Sequence, residues 1–265
     1  MLDPLPHYLL TSENIPYMTT TSAPVGLINS LDLSPFLDHV STHSTKTPYG
    51  APSAALVQAE LAGQPVISLQ RHGIHQQIPP HQINYRANIW ALRAAGVQHI
   101  IGIATVGGIH PELDPGSLCI ADQIIDYTYG REDTYETAED DGPVQHIEFA
   151  DPFSTRLRTA LIHAAEGCGI TCATQGVYGA TQGPRLETAA EIRRMQRDGC
   201  DIVGMTGMPE ASLAKEAGLD YANLSLVVNW AAGLETTPID LSAIKQNQAA
   251  GMQTVLKLIM NLSAF

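Results

Sequence analysis

Cations are scarce in this chain. Lys and Arg number 14 against 27 Asp and Glu over 265 residues, for a formal net charge of −13. A field of that sign repels polyphosphate and anionic lipid at long range, which excludes nucleic acid and the membrane surface as partners, while a single small anion can still be held by a local cluster. Cysteine is sparse too: of Cys119, Cys168, Cys172 and Cys200, only the middle two stand close together, and no second Cys/His pair accompanies them. That spacing excludes a structural zinc site and leaves reduced core thiols. No apolar run reaches membrane-spanning length, and the opening "MLDPLPHYLLTSENIPYM" lacks the basic start and long apolar stretch of a secretory signal. The expectation is a soluble cytoplasmic protein. Internal repeats and low-complexity tracts are also missing.

What is present is enough apolar sequence, 44% hydrophobic against 15% charged, to bury one substantial core. Residues 1–23, rich in Pro, Thr and Ser without a clear period, read as a loose extension in which Met18 is an alternative start; residues 24–265 read as one domain. Short β-branched runs at 65–69, 99–104, 118–126, 170–180, 201–205 and 221–230 are candidate strands. Helical patterns lie between and after them at 84–96, 153–169, 188–199, 209–218 and 240–262, several punctuated by Pro209 at a first turn or by Gly96, Gly199 and Gly218 just past an end. Alternation of this kind without a linker predicts a single α/β domain with a largely parallel sheet. The acidic stretch "GREDTYETAEDDG" (130–142) reads as a solvated loop.

In open α/β sheets, ligands gather at the carboxyl ends of strands. Those ends carry Arg71-His72, then Ala104-Thr105 with Val106-Gly107-Gly108, then "TQGPRLET" (181–188), Met205-Thr206 and Asn229. A guanidinium fork and an imidazole can converge on an oxyanion, although a surface Arg-His pair is the plainer alternative. Paired glycines let backbone N–H groups approach an anion or merely make a tight turn. Thr206 offers a hydroxyl before a helix whose positive end favours anions, or simply caps that helix. Taken together, the three features predict a phosphate-sized pocket. His72, His75 and His81 in "RHGIHQQIPPHQ" have no carboxylate or Cys partner, and two prolines break their register, so metal is the weaker reading.

Thr188 and Glu191 have the spacing of a capping box, which leaves Glu187 one residue outside the helix and not required for the cap. The alternative is a carboxylate placed there by the helix dipole. Asn229 ends the apolar run "LSLVVNW", where an amide is costly unless paired. A carboxylate that takes a ring N1–H and an amide that serves O6 and N7 suit a 6-oxopurine; adenine has no N1–H to give.

The segments "RHG…NYRANIWAL", "VGGI", "GPRLETAAEI", "GMTGMPEASLAKEAGL" and "LSLVVN" resemble the purine nucleoside phosphorylase and methylthioadenosine phosphorylase family, in particular its S-methyl-5′-thioinosine phosphorylase branch, over Val25 to Leu262. The resemblance implies a three-layer α/β/α sandwich with a mixed, largely parallel sheet. It also implies a homotrimer and phosphorolysis of a purine nucleoside to free base and (methylthio)ribose 1-phosphate, with inorganic phosphate as co-substrate and no metal or organic cofactor. By position it implies that Arg71, His72, Ala104, Thr105 and Thr206 hold phosphate, that Met205 lies against the ribose and Leu186 against the purine face, and that Glu187 and Asn229 read the base edge. The family's adenosine-type branch has aspartates at the places of Asn229 and Ala231, which points here to a 6-oxopurine. Leu241 and Ile244 present an apolar wall where a 5′-methylthio group fits. His146 resembles a family histidine that reaches a neighbouring subunit's site; a surface loop histidine is the alternative.

One departure stands out. The family's first strand leads into Gly-Gly-Ser/Thr-Gly, a phosphate grip, whereas this chain has "VGLINSLDL" (25–33), with Ser30 as the substitute hydroxyl and Asp32 adding negative charge. The implied catalytic group is Asn229, Glu187 and His72. The alternatives left open are a methylthioadenosine or inosine/guanosine phosphorylase, a nucleoside hydrolase in which water replaces phosphate, and a silent nucleoside-binding protein.

Overall fold

The structure is a computed structural model that describes residues 23–30, 33–137, 143–235 and 239–262. Most of the expected extension, and Asp32 with it, lies outside the described residues.

Among the described residues, ten strands hydrogen-bond into one sheet. They are β1 (Val25–Asn29), β2 (Asp38–His43), β3 (Leu56–Leu61), β4 (Gln64–Gln70), β5 (His99–Gly108), β6 (Leu118–Ile120), β7 (Gln123–Asp126), β8 (Val177–Ala180), β9 (Ile202–Gly204) and β10 (Asp220–Trp230). Their order is β2-β3-β4-β1-β5-β9-β8-β7, with β10 branching off β5 and carrying β6. The pairs β1/β4, β1/β5, β5/β10, β7/β8 and β8/β9 are parallel; β2/β3, β3/β4, β5/β9 and β6/β10 are antiparallel. The sheet is therefore mixed and largely parallel in its centre, as expected.

Five helices, α1 (Tyr85–Ala94), α2 (Thr155–Gly167), α3 (Ala189–Asp198), α4 (Gly207–Glu216) and α5 (Leu241–Met260), match the five periodic segments. Successive strand residues point to opposite faces, and here both faces are covered. Ile28 and Ile100 pack with Ile89 and Leu92 of α1 and Leu213 of α4. Their neighbours Leu27 and Ile101 pack on the other face with Leu157 and Leu161 of α2 and Val255 and Leu256 of α5. This is the three-layer α/β/α sandwich. Side-chain caps start α1 at Asn84, α2 at Ser154 and α5 at Asp240.

Strands β1, β2 and β3 are not among the candidate strands, and two of the expected segments take a different form. The single strand expected at 118–126 is two, because the chain changes partner: the Ala121 N–H still bonds Asn223 O beside β10, and the next amide, at Asp122, bonds Gly176 O beside β8. In 170–180 only Val177–Ala180 is extended into a strand, since Gly176 N–H is held by the Asp122 carboxylate at 2.7 Å. The β3–β4 hairpin turns on Ala62 and Gly63, both with positive φ, a twist-matched two-residue turn made without the usual Asn-Gly.

Candidate functional site

The sheet creates the site where β5 changes partners. β1 pairs with β5 only as far as Ile28↔Gly102, and β9 joins antiparallel at Gly107↔Val203. Between those points β5 loses its neighbour on one side, which is the topological switch point at which α/β sheets bind ligands. Thr105 is the one residue of β5 that is not buried. Because β9 runs antiparallel to β5, its exit carries Met205 and Thr206 back toward Thr105. On the other side, β10 has a bulge between Val227 and Asn229, so that Asn229 rather than Val228 faces Gly107. A bulge re-aims a side chain in this way at the cost of one ladder position.

The result is a cavity of about 220 Å³ lined by Ser30, Arg71, His72, Ala104, Thr105 and Thr206 together with Leu186, Glu187, Met205, Asn229 and Ile244. Eleven of the thirteen expected site residues thus meet in one place. The other two do not. Leu241 is 66% exposed in the first turn of α5, and its expected place is taken by Ile239, two residues earlier and lining the cavity with Ile244. His146 is exposed in a surface loop and does not line the cavity of its own chain. Ile239 escaped sequence reading because it precedes the helix whose period drew attention to Leu241.

Glu187 answers to the cavity and not to the helix. The capping box closes on Thr188 and Glu191, whose bonds measure 3.1 and 2.7 Å, and Arg185 pairs with Glu191 at 2.7 Å. Glu187 instead accepts from Thr181 Oγ1 at 2.7 Å through Oε1, and no donor among the described residues reaches Oε2. Asn229 donates from Nδ2 to Trp230 O at 2.7 Å, which fixes the amide and leaves Oδ1 and one N–H for a ligand.

The anion end departs from the expected free guanidinium fork. Arg71 is 1% exposed and directs Nε and Nη2 at Glu210, at 2.7 and 3.0 Å, while Nη1 and Nη2 also reach Ile103 O and Ile28 O. Burial alone would lower its pKa, but the Glu210 carboxylate outweighs that and holds it above the ordinary value. Tyr221 donates a further bond to Glu210 at 2.8 Å. Arg71 therefore keeps one Nη1 N–H and a neutralised charge. Glu210, fully buried, is a functional neighbour that sequence reading missed; its signal was a carboxylate just after Pro209 in an otherwise apolar helix face.

His72 donates from Nδ1 to Ile78 O at 2.8 Å; a carbonyl only accepts, so Nδ1 carries the proton and Nε2 is an acceptor. Burial holds its pKa below the usual 6.5; the Ile78 bond opposes this and the Arg71 charge adds to it. Thr206 makes no side-chain cap bond to α4, contrary to the capping alternative. Nor do the first amides of α4 face an anion: Thr206 and Gly207 N–H groups point to the Tyr178 hydroxyl at 3.3 and 3.4 Å. The paired glycines are also explained by packing. The backbone at Gly107 and Gly108 is paired with β9 and β10, and a Cβ at Gly108 would collide with the Leu113 carbonyl. Among the described residues no three His, Cys, Asp or Glu side chains gather as a metal site, and no helix is long and apolar enough to cross a membrane.

Residues 29–264 match the Phosphorylase superfamily. A probable S-methyl-5′-thioinosine phosphorylase of Pseudomonas syringae pv. tomato is 53% identical over 211 residues, 79% of this chain and 85% of that protein. A 6-oxopurine nucleoside phosphorylase of Pyrococcus furiosus is 41% identical over 221 residues, 82% of this chain and 83% of that one. In shape, methylthioadenosine phosphorylase of Schistosoma mansoni in complex with adenine superposes with a TM-score of 0.85 at 30% identity, over 90% of each chain. Sequence and fold agree across nearly the whole chain, and the protein belongs to the Phosphorylase superfamily.

Proposed function

We propose that the protein is a purine nucleoside phosphorylase that cleaves the N-glycosidic bond of a 6-oxopurine nucleoside, S-methyl-5′-thioinosine above all, with inorganic phosphate as nucleophile. The observation that carries this reading is the pairing of Glu187, whose Oε2 is unclaimed, with a bulge-aimed Asn229 in the cavity that also holds His72, Thr105 and Thr206. The free Glu187 oxygen accepts N1–H and the remaining Asn229 N–H donates to O6, while Oδ1 accepts from N7 once the departing base has taken a proton there from solvent. Phosphate is received by Thr206, the Ala104-Thr105 segment, Ser30, His72 and the remaining Arg71 N–H, and it attacks C1′ of an oxocarbenium-like sugar. Catalysis rests on positioning and electrostatics without a covalent enzyme intermediate. Met205 packs on the ribose, Leu186 on the purine, and Ile239 and Ile244 form the apolar seat of the 5′-methylthio group. The chain works as a cytoplasmic homotrimer, in which His146 serves a neighbouring subunit, and needs no metal or organic cofactor.

The relatives' names span methylthioinosine, 6-oxopurine nucleosides and methylthioadenosine, so the decisive experiment is base release from methylthioinosine, methylthioadenosine, inosine, guanosine and adenosine with and without phosphate. Phosphate-dependent cleavage fastest on methylthioinosine is expected, and Asn229→Ala or Glu187→Ala should slow it by about 10²-fold. A nucleoside hydrolase is the second reading, favoured by the Glu210 carboxylate that already neutralises Arg71. Equal rates without phosphate would establish it.

A further inference from the structure

Arg131 lies outside the cavity, in the loop after β7, yet it binds both of the segments that build it. Its Nη2 donates to Thr181 O and Gln182 O at 3.1 and 2.9 Å, and Nε donates to the Gln182 side chain at 3.1 Å. Its two Nη1 N–H groups are shared among Met205 O at 2.9 Å, Met208 O at 2.5 Å and the Tyr85 hydroxyl at 3.1 Å. The guanidinium also lies over the Tyr85 ring, 5.3 Å from its centroid. The first set of carbonyls belongs to the loop that carries Glu187; the second flanks Thr206. Six acceptors share the five N–H donors of one planar fork, a donor count that arginine alone supplies among side chains.

On the reading of the cavity given above, we infer that Arg131 is the positioning residue that fixes the distance between the base-reading loop and the phosphate-binding turn. Neither segment is held to the other by a ladder along its whole length: β8 and β9 pair only from Tyr178↔Ile202 to Ala180↔Gly204, and the ladder ends with Thr181 N–H to Gly204 O, after which both chains continue as loops. Arg131 bonds to both chains beyond that point. Removing it leaves the carbonyls of Thr181 and Met208, both in buried residues, without their donor and frees the two loops to drift independently. A displacement of about 1 Å between reacting partners can cost on the order of 10²-fold in rate.

The test is steady-state kinetics of Arg131→Met and Arg131→Lys on methylthioinosine with phosphate varied, alongside thermal melts. The expected result is a kcat lower by about 10²-fold in Arg131→Met, with KM raised for nucleoside and phosphate together, since one residue governs both loops. Arg131→Lys, which keeps charge but cannot fork, should recover less than half of that loss on a logarithmic scale, and millimolar guanidinium should restore activity to Arg131→Ala. Wild-type kcat and KM values in a folded Arg131→Lys or Arg131→Met protein would overturn the inference, as would a lower melting temperature with unchanged kinetics well below it. If Arg131→Met does not fold, the Lys variant and the guanidinium rescue decide. Thr206→Val and Glu187→Gln, assayed in parallel, keep the two readings apart. If they act on phosphate and nucleoside respectively while Arg131 variants do not, only the Arg131 inference fails; if they too are silent, the assignment of the cavity fails.

Discussion

Replacing Glu210 by Gln tests whether the anion end depends on a neutralised Arg71. The change keeps shape and removes charge from a carboxylate that is fully buried and accepts three hydrogen bonds, two from Arg71 and one from Tyr221. One of the two carboxylate positions becomes an NH₂ that faces donors, so at least one of those bonds is lost as well. Breaking a buried pair by removing one partner costs about 3–5 kcal/mol, most of it the penalty of an uncompensated guanidinium. For a chain of this size each kcal/mol shifts the melting point by about 2–4 °C, so the drop should be on the order of 10 °C. The freed positive charge beside the cavity should at the same time tighten phosphate binding. The assay is a set of thermal melts with and without phosphate, with Glu210→Gln and Arg71→Met/Glu210→Gln compared. The double variant should recover part of the loss, because no charge is left unpaired, but not all of it, because Ile28 O and Ile103 O lose their donor. A single variant that melts within about 2 °C of wild type would refute the account of the pair. An unchanged phosphate-induced shift would refute the electrostatic coupling of Arg71 to the anion.

Other perturbations separate the parts of the cavity. Thr181→Val removes the donor that holds Glu187 Oε1 at 2.7 Å; nucleoside KM should rise several-fold with phosphate KM unmoved, and stability should fall by about 1 kcal/mol, read by denaturant titration. Gly183→Ala places a methyl 2.5 Å from Met205 Sδ at a residue with φ of +58°, so a loss of about 1–2 kcal/mol and a raised nucleoside KM are expected; unaltered kinetics would detach Met205 from the ribose. His72 has a folded pKa below the 6.5 of the unfolded chain. Between those values the unfolded chain binds a proton that the folded one does not, so the stability linked to neutral His72 is complete above pH 6.5 and is lost as pH falls toward the folded value. Wild type should therefore lose melting temperature relative to His72→Gln below pH 6.5 and track it above pH 7.5; parallel curves across pH 5–8 would refute the depressed pKa.

Most central strands and all five helices were legible because their patterns depend on local periodicity: apolar runs buried on two faces, as at Ile100/Ile101, and caps such as Thr188 with Glu191 that announce themselves by spacing, whereas β1 was not legible in its own pattern and came only with the family resemblance. The antiparallel edge was not. Residues of β2 are mostly exposed, and β3 is rich in Ala, Glu and Leu, helix formers whose strand is imposed by its ladder to β4. Strand ends led to most of the cavity for a topological reason, since the point where β5 exchanges β1 for β9 collects whatever follows those strands. What sequence could not supply was the partner of each polar group. Arg71 reads as a free guanidinium fork until Glu210, 139 positions away, is found 2.7 Å from it. The glycines at 107 and 108 read as an anion loop until the Leu113 carbonyl occupies the space a side chain would need. On the proposed reading, both features leave less positive character where phosphate would sit, beside Ser30. Less is left there to hold the anion. On the proposed reading the burden then falls on the placement of Thr206 and Thr105, and if Arg131 sets that placement through its contacts to both loops, a weakened phosphate grip makes the spacing between the loops matter more for turnover.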